Sequence, residues 1–211
     1  MLSRRRLLET SALALLSLGV APAAFAQGTF DPAELMKPGV LPEMALGKPD
    51  APVTMIEYAS MTCGHCAHFH EAVFPYLKEK YIDTGKVYFV YREFPLDPLA
   101  AAVSMLARCA PGDRYFEMTK LFFEKQKDWI RADDPVEALF QIAKQSGFTR
   151  DTFKTCLTDQ KLLDGITAGR TRGADVFKID GTPTFFVNGR KIVGISTPAE
   201  VDEAVTPLIK G

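Results

Sequence analysis

The stretch Thr62-Cys63-Gly64-His65-Cys66-Ala67-His68-Phe69-His70 contains two of the chain's four cysteines and all three of its histidines. Two residues separate Cys63 from Cys66, so one helical turn can bring their sulfurs together. Cys63 falls where a helical pattern starts. There, unpaired backbone N–H groups and the positive end of the helix dipole favour a thiolate over a thiol. His65, when protonated, would add positive charge beside that sulfur. Cys66, a turn further in, is expected to be buried and to act as the resolving thiol. A stabilised thiolate stabilises the reduced pair, which makes the disulfide a stronger oxidant.

Two other readings compete with sulfur chemistry. Cys63, Cys66, His68 and His70 have the ligand types of a zinc site. On a continuous helix, however, His68 and His70 point in different directions, and the chain has no further histidine to complete the set. The other reading is a plain pair of core cysteines. His68 is read as a solvated surface residue. His70, one turn beyond Cys66, is read as packing beside it without a catalytic role.

The flanking sequence places the stretch in a fold. Val53-Thr54-Met55-Ile56-Glu57-Tyr58-Ala59 is a short apolar run after Pro52 and reads as a buried strand. Phe69, Val73 and Leu77 recur at helical spacing to about Lys80. Val87 to Arg92 reads as a second strand, parallel to the first because a helix crosses between them. From about 97 to 176 the pattern is almost wholly helical, broken at Pro111-Gly112, Asp134-Pro135 and Gly147. Asp133-Asp134 before Pro135 is a helix-start signal. Trp129 and the phenylalanines 116, 122, 123 and 140 are read as core. Thr184 to Val187 and Arg190 to Val193 flank Asn188-Gly189, a hairpin signal. Thr197-Pro198 opens a last helix. The order is βαβ, a helical block, then ββα.

Asp180-Gly181-Thr182-Pro183-Thr184-Phe185 puts a proline directly before a buried strand. With E-Y-A-S-M-T-C-G-H-C after the first strand, it resembles the thioredoxin superfamily, and more closely its DsbA-like branch. The resemblance covers about Pro52 to Gly211. It implies an α/β thioredoxin-like fold with an inserted all-helical domain: segments 53–96 and 177–211 forming the first, 97–176 the second. It implies that Cys63 is the exposed nucleophile and Cys66 its partner. It also implies a cis Thr182–Pro183 bond, with Thr182 offering backbone groups to a bound substrate. Glu57 matches the acidic residue that the family buries under the site as a proton relay; the alternative is an edge-exposed glutamate. Electrons would stay on sulfur, so no cofactor or metal is implied. The implied partners are exported proteins with free thiols and a membrane quinone-linked reoxidant. One departure stands out: Gly64 occupies a position where many DsbA-like oxidases carry proline. Gly-His resembles protein disulfide isomerase, which leaves isomerase or reductase activity open on the same scaffold. A non-catalytic holdase, gripping unfolded chains through aromatic residues, is the reading from another class.

The two remaining cysteines and the chain's start bear on compartment. Residues 1–26 carry Arg4, Arg5 and Arg6, then an apolar run ending Ala24-Phe25-Ala26, the pattern of a signal cleaved after Ala26. The route is ordinary secretion or the twin-arginine pathway. Residues 27–52 form a proline- and glycine-rich extended lead-in with room for one edge strand. Export to the periplasm would place the mature chain where disulfides persist, and there Cys109 and Cys156 are expected to pair. The composition, 47% hydrophobic and 24% charged, is that of a globular chain. Loss of residues 1–26 leaves 22 basic against 25 acidic residues, which argues against nucleic acid as a partner.

Overall fold

The computed structural model describes residues 28–209, so the signal-peptide reading lies outside the described residues. A five-stranded sheet has the order β1-β3-β2-β4-β5: β1 Met44–Leu46, β2 Val53–Ala59, β3 Val87–Glu93, β4 Thr184–Val187 and β5 Arg190–Val193. β2 is central. It runs parallel to β3 and antiparallel to β4. The hairpin between β4 and β5 turns at Asn188 (φ 45°) and Gly189 (φ 89°), the left-handed pair that a tight hairpin turn requires.

The lead-in holds more structure than an extended segment. Asp31 caps the short helix α1 (Pro32–Leu35), because Asp-Pro combines a side-chain acceptor with a residue preset for a first helical position. β1 pairs with the outer edge of β3.

After β2 the chain enters α2 (Gly64–His68), a π turn (Phe69–Val73), α3 (Phe74–Leu77) and a second π turn (Lys78–Ile82). The sequence suggests one uniform helix here, and Pro75 is the reason for the first departure. It has no N–H to give the Glu71 carbonyl, and the ladder adjusts so that Phe74 N–H bonds Phe69 O, five residues back. Between β3 and β4 lie six helices: α4 (Pro98–Arg108), α5 (Tyr115–Glu124), α6 (Gln126–Ile130), α7 (Pro135–Gln145), α8 (Arg150–Leu157) and α9 (Gln160–Asp175). Asp134 caps α7 by accepting from Glu137 N–H at 3.0 Å. The final helix α10 spans Pro198–Ile209.

Strand alternation divides the core between the two faces of the sheet. Val53, Met55 and Ala59 of β2 join the large cluster built from Phe69, Val73, Leu77 and the helical block. Ile56 and Tyr58 face a smaller cluster with Val90, Phe94, Phe177 and Phe186. Period-two alternation puts Glu57 on the large-cluster face, level with Tyr91 of β3 and Phe185 of β4.

Candidate active site

Cys63 is the N-cap residue of α2, with extended backbone (φ −81°, ψ 120°) and no side-chain cap bond. Its sulfur therefore sits among the unpaired N–H groups of the first turn. The Cys63 thiol is pushed down to about 5 from an ordinary value of 9. The hydrogen bond from the Cys66 thiol contributes most, partial burial opposes it, and the backbone N–H groups of Cys66 and His65 add to it. Cys66 moves the other way. It is wholly buried, and burial, the bond to Cys63 and the nearby Glu57 charge push its thiol well above the usual range. Both thiols are unbonded.

The loop before β4 closes the other side. The Thr182–Pro183 peptide is cis, and the Cys63 thiol donates to the Thr182 carbonyl at 3.2 Å. That carbonyl, an acceptor, holds the thiol form. The buried and unpartnered Thr182 Oγ1 is the atom of this residue that can donate to a thiolate. A shallow groove beside the sulfur is lined by His65, Thr182, Pro183, Val193, Ile195 and Ser196. His65 is exposed at its rim.

Glu57 is wholly buried, so the edge-exposed alternative is excluded: β2 is the central strand. Its Oε2 meets His70 Nε2 at 2.9 Å. His70 thus does more than pack beside Cys66. It is the hydrogen-bond partner of the one acidic side chain on that strand. His68 instead reaches the Ser196 carbonyl at 3.0 Å. The two histidines accordingly reach different partners, and among the described residues no three His, Cys, Asp or Glu groups are placed to hold a metal ion.

Gln126 of α6 is a further residue of the site. It is buried, and its Nε2 donates to the carbonyls of Met61 (2.8 Å) and Cys63 (3.0 Å). A glutamine at a helix start gives no signal in the sequence; the segment 63 residues away that it serves becomes visible only in the folded chain. Cys109 and Cys156 are joined as a disulfide with Cα atoms 6.2 Å apart, tying the end of α4 to α8.

A dithiol at a helix start, opposite a cis-proline loop that leads into the same sheet, defines a thioredoxin-fold protein. Comparisons with known proteins agree. A family model described as Thioredoxin matches residues 40–206. A Rickettsia bellii relative, provisionally named a protein-disulfide oxidoreductase, is 36% identical over 167 residues, covering 77% of this chain and 64% of the relative. A similar Rickettsia typhi protein is 36% identical over 149 residues, 70% of this chain and 55% of that one. The chain thus spans about half to two thirds the length of these curated relatives. The crystal structure of Wolbachia pipientis alpha-DsbA1 superposes with a TM-score of 0.76 at 35% identity, covering 84% of this chain and 95% of that one. The chain belongs to the DsbA-like branch of the thioredoxin superfamily.

Proposed function

We propose that the protein is a periplasmic thiol–disulfide oxidoreductase that introduces disulfides into exported proteins. The observation that carries this reading is the opposite displacement of the two thiols: Cys63 down to about 5, buried Cys66 up. A low-pKa, accessible sulfur is a good leaving group at neutral pH, and its thiolate stabilises the reduced enzyme. A client thiolate attacks Cys63 Sγ of the enzyme disulfide, and Cys66 leaves. A second client thiolate then attacks the client sulfur of the mixed disulfide, and Cys63 leaves as thiolate. The client loses two electrons, which stay on the enzyme's sulfurs until a reoxidant accepts them. A membrane quinone-linked protein is the reoxidant that the family resemblance suggests, and cleavage after Ala26 would release the mature chain.

Thr182 supports this reading by presenting backbone to a client segment beside Cys63, with Pro183 shaping the groove and His65 at its rim. Glu57 supplies a proton-exchanging group near Cys66. A milder oxidant or isomerase is the second reading, favoured by Gly64 between the cysteines. The reduction potential of the Cys63–Cys66 pair in glutathione buffers separates them, with the Cys109–Cys156 disulfide kept out of the readout. A potential well above thioredoxin's supports the oxidase. A value near thioredoxin's overturns it in favour of reduction or isomerisation.

A further inference from the structure

Glu57 carries an ionisable group into the buried face of the central strand. One carboxylate oxygen is bonded to His70, and the other, Oε1, is buried without a partner. Native proteins keep few such unsatisfied groups, and each calls for a reason. The His70 ring is fixed by its neighbours. It stacks on Phe123 of α5 at 4.4 Å and 14°, lies edge-on to Tyr91 of β3 at 5.6 Å, and packs against Phe74 at 5.1 Å. It also sits in the π turn that follows α2, a deviation frequent at functional sites. Of the two side chains, His70 is the outward one: 4% of it is exposed, and none of Glu57.

We infer that His70 is the proton-exchange partner of Glu57, so that the pair hands one proton between the Cys66 sulfur and solvent. This deepens the oxidoreductase reading and rests on it. When a client thiolate attacks Cys63, the Cys63–Cys66 bond breaks and its electron pair goes to Cys66 Sγ. That buried sulfur takes a proton from the Glu57 carboxyl group. Glu57 regains one through Oε2 from the His70 imidazolium, and His70 is reprotonated from water. Reoxidation runs the same transfers backwards.

The titratable groups facing the pair are Cys66 from α2, with Cys63 beyond it, and Tyr91 from β3. Glu93 lies further along β3, held by Arg108 at the end of α4 and by Tyr115 of α5. Phe69, Phe74 and Phe123 contribute only rings. Burial pushes the Tyr91 and Tyr115 phenols well above their usual range, so neither exchanges protons near neutral pH. Imidazole is the side chain whose ordinary range spans it.

The test compares Glu57→Gln with His70→Gln. The latter keeps an N–H donor for Oε2 but cannot accept a proton. The readout is the stopped-flow rate at which dithiothreitol reduces the Cys63–Cys66 disulfide between pH 5 and 9, with melting temperature and the Cys63 titration measured alongside. His70→Gln is expected to slow reduction about tenfold or more and to flatten the pH profile, with melting temperature and Cys63 titration close to the parent's. A wild-type rate and profile in His70→Gln overturns the inference. If Glu57→Gln is slow while His70→Gln is normal, only the histidine's role falls. If Glu57→Gln is also normal, the relay itself falls. Should His70→Gln not fold, ring NMR of the unmodified protein decides. His70 is expected to titrate differently in the oxidised and reduced forms, and identical titrations overturn the inference.

Discussion

Gln126 Nε2 lies 3.0 Å from the carbonyl oxygen of Cys63, a hydrogen bond from the helical block to the residue that carries the reactive sulfur. The same amide holds Met61 O, so one side chain fixes both ends of the turn entering α2. Gln126→Ala would leave the buried Met61 carbonyl unpaired at about 1–3 kcal/mol, while Cys63 O keeps its bond from Ala67 N–H. At this chain length, the melting temperature is expected to fall by roughly 2–12 °C. The Cys63 titration, followed by thiolate absorbance, is expected to move upward as the turn loosens. A lower melting temperature with an unmoved titration would make Gln126 structural only.

The Cys63 titration sets how the reduction potential varies with pH. The disulfide binds no protons. The reduced pair binds two below the Cys63 value of about 5 and one above it, since Cys66 stays protonated. Each proton is worth about 30 mV per pH unit for a two-electron couple. The potential should therefore fall by about 60 mV per unit below pH 5 and by about 30 mV per unit from there through neutrality. A single slope from pH 4 to 8 would refute the low Cys63 value. Cys66→Ala removes the largest contributor to that value, so Cys63 is expected to titrate higher in this variant.

The same shift makes the reduced protein's stability depend on pH. The folded-state value of Cys63 lies below that of an unfolded cysteine, about 8.5. Its contribution is therefore absent below pH 5, grows between 5 and 8.5, and is complete above that. Cys66 is raised, so it withdraws stability once the unfolded thiol ionises above about 8.5. Urea melts of the reduced form should show the largest gain over the oxidised form near that pH. An oxidised form that gains equally from pH 5 to 8 would contradict the assignment to Cys63.

Much of this site is written in short-range sequence, and the remainder depends on long-range contacts. The strand through Glu57, the helix start at Cys63 and the hairpin at Asn188-Gly189 follow from local pattern and turn chemistry. The first π turn follows from Pro75, whose missing N–H is visible in the sequence although the ladder's response to it is not. Period-two alternation along β2 also assigns Glu57 to one face with Met55 and Ala59. That the face is buried depends on β2 being central, which is a property of the strand order. The bond between His70 and Glu57 spans strand and helix. Its sequence signal is position: His70 lies one turn after Cys66, between the core residues Phe69 and Val73. Gln126 has no comparable signal.

Cys109 and Cys156 are 47 residues apart. In the chain-entropy account, closing a loop of that length stabilises the fold by about 4 kcal/mol. Cys109→Ser with Cys156→Ser is expected to lower stability by about 2–4 kcal/mol, read by urea denaturation. The rate of dithiothreitol reduction at Cys63–Cys66 should stay within about twofold, because the bond tethers α4 to α8 rather than the α2 and Thr182 segments that hold the dithiol. A large loss of rate at temperatures where the variant remains folded would show that the tether shapes the active site.

Gly64 lies between the two cysteines, and the backbone there is already set for a proline. Gly64 is the first residue of α2, where proline is favoured because the N–H has no intrahelical partner. The residue before a proline must be extended, and Cys63 is, at φ −81° and ψ 120°. A Cβ at Gly64 meets nothing within 4 Å. Gly64→Pro is therefore expected to fold and to gain about 0.4–1 kcal/mol by restricting the unfolded chain, a rise of a few degrees in melting temperature. Its potential should be compared with the parent's under identical buffers. A more oxidising variant would mean that Gly64 moderates an oxidase scaffold. An unchanged potential would mean that the electrostatics around Cys63, rather than the intervening dipeptide, set the oxidising power of this chain.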